Sequence, residues 1–523
     1  MQLATMYDYF PQSTHAADEA IASMQQYARK LLANPAWTID DTIVSIMPGA
    51  APDPFVHCHL SAFSLSFYYR ADVASIASAH YQMARRGWPS LNTTARFVAK
   101  YDMEHKEHHH PCITRKIKLL VISGVLTEGH SNTESFGGML SRLDRTVFHV
   151  TYVLLQERPN STIANFTKAQ SLVDHIHIFS KEEQDISNGA WTNRIAKHIE
   201  SWEMDIIFYL DLTMSTYARR LGMQRLAPVQ INSIGHPITS GHDRSIIQYY
   251  ISWAAAELPS LEEAQSHYTE ELLLLPSDIV YQYYEPRVVA GKQVSRIDGQ
   301  RFDQFTRTDF GLPPNNNTRV YLCMQKPFKF HPEFDELLCG IMSKDMHGWI
   351  VLHRETNPAN QNMFEHRLKD AGCDMTRIAF LDQQSHHRLL ALYRVSTVIL
   401  DSYPAGGDTT TREVLEMGKA LVTLPARLLG GRWSLGYMST IGLKDSTKKA
   451  LIASSPEEYI RLAVELGLDD VLRESVEVDI RNSVKNLFYR DDAIGAWEKI
   501  LLDISPYHQC HKKDTEGKHL EEL

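Results

Sequence analysis

Two series of short apolar runs constrain the fold of this chain more than any other feature. The runs of the first series are Ile117–Ile122, Phe148–Leu154, His175–Phe179 and Asp205–Asp211, with a helical segment between the last two at Ala190–Ser201. Apolar runs of this length that alternate with helical segments are typical of parallel strands covered by helices on both faces. This part of the chain therefore predicts a doubly wound α/β lobe.

A second series of the same kind begins after a turn-rich segment at residues 312–318. Its runs are Val320–Cys323, Trp349–Leu352, Ile378–Phe380, Thr397–Leu400 and Ala420–Thr423. Two lobes of this architecture imply a cleft between them, and ligands bind there at the carboxyl ends of the strands.

The first part of the chain has a different pattern. Ile21, Met24, Ala28 and Leu31 recur at helical spacing, and a histidine-dense segment at residues 104–111 follows. Clustered histidines can bind metal, but no cysteine or carboxylate stands at a defined spacing from them, which favours a solvated linker. We therefore predict an α-helical module with a His-rich linker at residues 1–115. The lobes are placed at 116–310 and 311–505, and a polar tail at 506–523.

Composition limits the function classes. A net charge of −10 argues against a general nucleic-acid binder. The six cysteines lack CxxC spacing, which fits reduced thiols better than a disulfide framework or a zinc site. No secretory signal pattern is visible, and no apolar run approaches the roughly 20 residues that span a bilayer. We expect a cytoplasmic or nucleocytoplasmic protein without a membrane span.

The run from Asp401 to Glu416 indicates a strand end, a glycine turn and a helix start. Gly406 and Gly407 allow a ligand to approach the backbone closely. The threonines at 409–411 offer hydroxyls and free amides at the positive end of a helix dipole. This pattern suits a diphosphate, although an ordinary glycine turn with threonine capping would look the same.

Other polar residues follow strands of both lobes. In the second lobe, Lys326 and Lys329 come directly after Val320–Cys323, where two cations could neutralise a diphosphate without a metal. The alternative is that both lysines are simply solvated. In the first lobe the candidates are His130, Asp205, Asp211 and the segment from Gly235 and His236 to Gly241, whose two glycines suit close ligand approach. His130 is a candidate base, whereas a carboxylate such as Asp211 is more often a structural anchor.

The order of these motifs resembles the catalytic region of the protein O-GlcNAc transferase and SPINDLY family. The resemblance rests on Leu226–Gly241, Phe328–Pro332, Arg377–Phe380 and the turn Gly407–Thr410, and it covers about residues 116–500. The bacterial cytoplasmic N-glucosyltransferases belong to the same wider group.

The resemblance implies a GT-B fold, which is two facing Rossmann-like lobes with a nucleotide sugar between them. It also implies metal-independent, inverting transfer of a sugar (GlcNAc or Glc) from a UDP-sugar to a protein or peptide acceptor. The UDP-sugar is a co-substrate, and no prosthetic group is expected. By position, Lys329, Thr409 and Thr410 match residues that hold the phosphates. Glu413 matches a ribose contact, Gln384 and His386 match uracil contacts, and His130 matches a histidine near the sugar and acceptor.

Three departures from the family pattern affect the expected chemistry. Asp408 replaces a histidine in the glycine turn, Lys326 stands where a glutamine is usual, and Asp205 takes the place of a second histidine. We expect the added lysine to offset the added acid. The changes at Asp408 and Asp205 keep a nucleotide-sugar-binding protein without turnover as one alternative. A nucleotide-sugar epimerase is the other, because such enzymes can share this two-lobed architecture and no peptide-binding array is recognisable.

The predicted site thus has a catalytic group and a binding group, with no metal ligand. The catalytic candidates are His130, Lys329 and Asp211. The predicted nucleotide-sugar contacts are Lys326, Gln384, His386, Gly407, Asp408, Thr409, Thr410, Thr411, Glu413, Gly235 and His236. Donor sugar, acceptor and oligomeric state are left open.

Overall fold

The computed structural model describes residues 11–34, 73–87, 91–105, 112–127, 130–156, 174–180, 188–235, 237–289, 291–314 and 317–509. His236, most of the histidine-dense segment and the tail beyond residue 509 lie outside these ranges. Within them, no helix combines the length and apolarity needed to cross a bilayer.

The predicted helical module contains helices α1 (Thr14–Ala33), α2 (Ala74–Gly87) and α3 (Arg96–Glu104). The stripe predicted on α1 is confirmed, because Ile21, Met24, Ala28 and Leu31 are buried against α2. The same apolar cluster includes Ile238 of the first lobe and Ala405 of the second. This helix pair therefore packs against both lobes.

The first lobe is built on a seven-stranded parallel sheet. Its strands are β1 (Ile117–Ser123), β2 (Phe148–Gln156), β3 (His175–Ser180), β4 (Ile206–Tyr209), β5 (Val229–Ser233), β6 (Tyr249–Trp253) and β7 (Glu271–Leu275). They lie in the order β3-β2-β1-β4-β5-β6-β7. Its helices are α4 (Ser131–Arg142), α5 (Asn188–Trp202), α6 (Thr216–Gly222) and α7 (Leu261–Gln265).

The second lobe is built on a five-stranded parallel sheet. Its strands are β8 (Arg319–Cys323), β9 (Gly348–His353), β10 (Ile378–Leu381), β11 (Val398–Leu400) and β12 (Leu421–Val422), in the order β10-β9-β8-β11-β12. The helices that surround it are α8 (Pro332–Lys344), α9 (Pro358–Asp370), α10 (His386–Val395), α11 (Thr409–Glu416), α12 (Trp433–Thr440), α13 (Asp445–Leu451), α14 (Pro456–Leu468) and α15 (Asp470–Ser483).

The last helix, α16 (Asp491–Asp503), crosses back to the first lobe. The indole of Trp497 donates to the Tyr281 carbonyl at 2.8 Å and stacks on Phe208 of β4.

Shorter elements complete the chain. They are the strand pairs Cys112–Ile113 with His508–Gln509 and Val288–Val289 with Val294–Ser295, and the 3-10 turns Arg307–Phe310, Pro327–Lys329, Met375–Arg377, Leu429–Gly431 and Val484–Leu487.

The predicted α/β class and two-lobed GT-B architecture are confirmed, and each predicted strand is present. Strands β5, β6 and β7 were not predicted as strands. Gln230, Asn232 and Ser252 are buried in β5 and β6 and interrupt the apolar pattern. Gln230, for example, donates to the carbonyls of Gln224 and Ile246 at 3.1 and 2.9 Å, so burial of its amide is compensated.

The prediction that all cysteines are reduced thiols is wrong for one pair. Cys339 on α8 and Cys373 after α9 form a disulfide, with 4.6 Å between their Cα atoms. Their sequence separation of 34 residues gives no spacing signal, because only the packing of α8 on α9 brings them together. Disulfides are more typical of oxidising compartments, so the cysteine pattern does not support a cytoplasmic location.

Candidate functional site

Asp401, the first residue after β11, stabilises the glycine turn through hydrogen bonds to its carboxylate. Its buried carboxylate accepts hydrogen bonds from the Gly407 amide at 2.8 Å, the Thr423 hydroxyl at 2.9 Å and the Ser434 hydroxyl at 2.6 Å. Burial raises the pKa of Asp401, and these donors oppose that effect. Three donors from separate segments therefore fix where the turn lies.

Gly407 is required by close packing within the turn. A Cβ atom at this position would lie 2.0 Å from the Thr410 hydroxyl and 2.3 Å from the Gln325 amide nitrogen. Both distances are far below van der Waals contact, so the turn, Thr410 and Gln325 form one tightly packed unit.

Lys329 contacts this unit directly. It ends the short turn Pro327–Lys329 that follows β8, and its ammonium donates to the side-chain amide oxygen of Gln325 and to the Gly406 backbone carbonyl, each at 2.9 Å. The Gln325 amide nitrogen in turn donates to the Thr410 hydroxyl. Burial lowers the pKa of Lys329 below its usual value, and the charges of Asp401 and Asp408 only partly oppose this effect. The predicted cation and the predicted hydroxyls thus meet at the carboxyl edge of the second sheet.

The three threonines of the turn have different surroundings. Thr411 is fully buried, and its hydroxyl donates to the Gly407 carbonyl at 2.7 Å, so that this side chain supports the turn from within. Thr409 and Thr410 are only partly buried at the first positions of α11. Their hydroxyls and the amides of this helix end form the part of the turn suited to an anion.

Asp408 is engaged by side chains that the sequence analysis did not identify. Its carboxylate accepts from the hydroxyls of Tyr281 and Tyr437 and lies 3.5 Å from the Arg412 guanidinium. Lys326 lies elsewhere: its ammonium donates to the Gln383 side chain at 3.1 Å. The expectation that Lys326 offsets Asp408 is therefore wrong, because Arg412 is the cation paired with this acid.

The residues expected to contact the nucleoside are gathered on α10 and α11. His386 Nε2 lies 3.1 Å from the Glu413 carboxylate, which also pairs with Arg287. Burial raises the pKa of Glu413, but the hydrogen bond from His386 and the charge of Arg287 outweigh it, and the net pKa lies below the usual value. Gln384 is close in sequence and accepts from Arg388 at 2.8 Å.

His130 caps the helix that faces this turn from the first lobe. Its Nδ1 accepts from the Asn132 amide at 3.2 Å at the start of α4. Burial lowers the pKa of His130, which favours the neutral ring. A neutral imidazole whose Nδ1 accepts a hydrogen bond carries its proton on Nε2. In this arrangement His130 offers a donor rather than a base.

The remaining first-lobe candidates have structural contacts. Asp211 is fully buried, and its carboxylate accepts from the Gly124 amide at 2.8 Å, which ties the loop after β4 to the end of β1. A Cβ atom on Gly235 would lie 2.2 Å from the Leu210 carbonyl oxygen, and one on Gly241 would lie 2.4 Å from the Ala77 backbone. The close approach at Gly241 is therefore made by α2 and not by a ligand.

The placement of Asp205 after a strand is wrong. Asp205 precedes β4, and its carboxylate accepts from both terminal nitrogens of Arg115 at 2.6 and 2.7 Å and from the Lys118 amide at 2.8 Å. It therefore lies at the amino edge of the sheet, opposite the cleft edge. His236 lies outside the described residues.

Among the described residues, no group of three or more His, Cys, Asp or Glu side chains is placed to hold a metal ion. The cationic groups at the turn are Lys329 and Arg412. Gln325 was not predicted, although its position four residues before Lys329 and two residues after β8 was a usable signal.

Fold and site together define a two-lobed protein of the GT-B class. Residues 285–489 match the family model described as glycosyl transferase family 41. The expected resemblance to the protein O-GlcNAc transferase and SPINDLY family is confirmed.

Two plant proteins illustrate the relationship. The probable UDP-N-acetylglucosamine–peptide N-acetylglucosaminyltransferase SPINDLY of Eustoma exaltatum subsp. russellianum is 28% identical over 292 residues, which is 55% of this chain and 29% of the plant protein. The corresponding probable enzyme SEC of Arabidopsis thaliana is 24% identical over 292 residues, covering 56% and 28%. The chain thus spans less than a third of the length of these relatives.

Among solved structures, a mutant of Thermobaculum terrenum O-GlcNAc transferase superposes with a TM-score of 0.65 at 18% identity. The superposition covers 94% of this chain and 84% of that one. At this level of identity the likeness establishes the fold.

Proposed function

We propose that this protein is a nucleotide-sugar-dependent inverting glycosyltransferase. It moves a sugar from a UDP-sugar, with GlcNAc or Glc as the first candidates, to a Ser/Thr or other side chain of a protein or peptide. The observation that carries the proposal is the contact of Lys329 with Gly406 and, through Gln325, with Thr410. The plant relatives are described as probable UDP-N-acetylglucosamine–peptide N-acetylglucosaminyltransferases, which supports the choice of donor and acceptor class.

The proposed roles of these residues follow from the negative charge that develops on the diphosphate as UDP leaves. An acceptor oxygen attacks the anomeric carbon, the bond from that carbon to the diphosphate breaks, and the bonding electrons leave with UDP. The Lys329 ammonium, the Thr409 and Thr410 hydroxyls and the amides at the start of α11 stabilise the charge on this leaving group. The acceptor proton is released to solvent water.

His130 has a binding role in this proposal. Its Nδ1 is used in capping α4, so its Nε2–H is available to donate a hydrogen bond to the sugar or to the acceptor. Orientation of this kind aligns the reacting atoms without proton transfer by the imidazole. Asp211, which is buried against the Gly124 amide, has an anchoring role.

The contacts of Asp408 and Asp205 weaken the case for a protein without turnover. That reading depended on an acid placed beside the phosphates and on the loss of a cleft histidine. Asp408 is paired with Arg412, and Asp205 is paired with Arg115 at the far edge of the sheet. Neither acid leaves an uncompensated negative charge at the glycine turn.

The proposal is tested by incubating the purified protein with radiolabelled UDP-GlcNAc or UDP-Glc and a cell lysate. We expect the native protein to transfer label to lysate proteins, and we expect the Lys329→Ala variant to lose this transfer. Interconversion of free nucleotide sugars without protein labelling would instead establish an epimerase. Saturable UDP binding with neither product would establish a binding protein.

A further inference from the structure

We infer that Arg412 is a positioning residue that joins the two halves of the site, and that Asp408 and Arg412 act as one unit. The inference rests on the proposed function insofar as it assigns the turn to the donor diphosphate. It goes beyond that function because it assigns a role to an arginine that need not touch either substrate.

Arg412 lies on α11, one turn after Thr409, and its side chain is completely buried. One terminal nitrogen donates to the Thr409 hydroxyl at 2.9 Å and to the Ser135 hydroxyl at 3.1 Å. The other donates to the Gln282 side chain, and the guanidinium lies 4.6 Å from the centre of the Tyr284 ring. A single planar group therefore contacts side chains of both lobes.

The contact with Ser135 extends the link to the acceptor side. Ser135 is buried on α4, the helix whose first turn is capped by His130. Thr409 is the first residue of α11, the helix whose amino end is proposed to bind the diphosphate. Arg412 thus fixes the distance between the helix that carries His130 and the turn that carries the phosphate-binding hydroxyls.

Asp408 supplies the counter-charge that this buried cation needs. Burial opposes the charge on Arg412, but Asp408, lying 3.5 Å away, and the neighbouring tyrosines hold the pKa of Arg412 above its usual value. Tyr281 and Tyr437 donate to the same carboxylate and fix its orientation. Removing Asp408 leaves the buried guanidinium without its counter-charge, and removing Arg412 leaves a partly buried carboxylate without its cation, so their effects should be non-additive.

Hydrogen exchange of the nucleotide-free protein tests the link. We expect Arg412→Gln to accelerate amide exchange about tenfold in both 131–142 and 406–411, since one charge-assisted network is lost from each. Arg461→Gln, an exposed arginine on α14, is the matched control and should change neither segment. If exchange in 131–142 keeps its original rate in Arg412→Gln, the link does not span the lobes and the inference is wrong.

Ser135→Ala provides a second variant that removes only the first-lobe hydroxyl. We expect faster amide exchange at residues 406–411, although the substitution lies in the other lobe. An unchanged exchange rate at 406–411 would overturn the inference. This test stands even if Arg412→Gln does not fold. Both exchange experiments need no ligand, so they decide the inference whether or not the protein transfers sugar.

Titration with UDP tests whether Asp408 and Arg412 act as one unit in ligand binding. We expect Arg412→Gln to weaken UDP binding about tenfold, and Asp408→Asn/Arg412→Gln to bind no more weakly than Arg412→Gln alone. A double variant that binds UDP more weakly than Arg412→Gln alone would contradict a single unit. If the native protein binds no UDP, the proposed function fails, and the exchange rates alone decide the role of Arg412.

Discussion

Lys329 and Thr410 are joined by one side chain, the amide of Gln325. The amide oxygen accepts from the lysine ammonium at 2.9 Å, and the amide nitrogen donates to the threonine hydroxyl. Because the ammonium also donates to the Gly406 carbonyl, the cation is already oriented at the turn before any ligand arrives. Preorganised charge of this kind stabilises a leaving group with little reorganisation during the reaction.

Removal of the lysine charge should affect the chemical step most. We expect Lys329→Ala to lower kcat about 100-fold or more, which is typical for loss of one group that stabilises developing negative charge. The measurement is initial-rate kinetics of label transfer from a UDP-sugar. Lys344→Ala, an exposed lysine at the end of α8, is the control and should keep the native rate. Native kinetics for Lys329→Ala would remove this residue from the diphosphate site.

Glycine substitutions should separate the turn from ordinary helix positions. Gly407→Ala forces a methyl group to within 2.0 Å of the Thr410 hydroxyl, so we expect loss of UDP binding and a lower Tm. Gly495→Ala on α16 meets no atom within 4 Å and should raise stability by about 0.5–1 kcal/mol through helix propensity. Thermal unfolding and UDP titration of both variants check this contrast. Retained UDP affinity in Gly407→Ala would contradict the packing described.

His130 should contribute by hydrogen bonding and not as the general base. We expect His130→Gln, which keeps a donor, to retain more transfer activity than His130→Ala. We also expect the acid limb of the pH–rate profile to persist in both variants. The measurement is kcat/KM across pH. Disappearance of that limb in both variants would show that the imidazole titrates in the reaction after all.

Two buried histidines should make the protein acid-sensitive where α2 meets the first lobe. The pKa values of His80 on α2 and of His242 after Gly241 are lowered from 6.5 to about 3, mainly by burial, and Arg219 contributes to the lowering at His80. Around His242, Arg85 also lowers the pKa, whereas Asp243 raises it. Because the unfolded chain binds more protons between about pH 3 and 6.5, the free energy of unfolding should fall as pH falls through that window.

The matched variant is His242→Phe, which keeps a ring against Tyr81, 4.1 Å away between ring centres, but cannot titrate. Urea unfolding at pH 7 and pH 5 should show a smaller loss of stability in this variant than in the native chain. Equal losses in both proteins would mean that His242 does not titrate as described.

The parts of the fold that were predictable are those governed by local apolar patterning. Strands such as Val398–Leu400 are wholly apolar and buried, so their sequence indicates their environment. Strand β5 could not be recognised in this way, because Gln230 and Asn232 are buried with hydrogen-bond partners that come from other segments.

The same limit applies to the site. The turn and Lys329 were predictable because both directly follow strands of one parallel sheet, whose carboxyl ends must lie together. Asp408 was predicted to need a neighbouring cation, but its pairing with Arg412 and two tyrosines could not be derived. Tyr281 is separated from Asp408 by 127 residues and meets it only through the packing of the two lobes.

Calorimetric titration of UDP and of uridine shows whether Lys329, Gln325 and the glycine turn hold a diphosphate. We expect the native protein to bind UDP at least about tenfold more tightly than uridine, and Lys329→Ala to reduce this difference sharply. Equal affinity for UDP and uridine in the native protein, or an undiminished preference for UDP in Lys329→Ala, would contradict a diphosphate site at these residues.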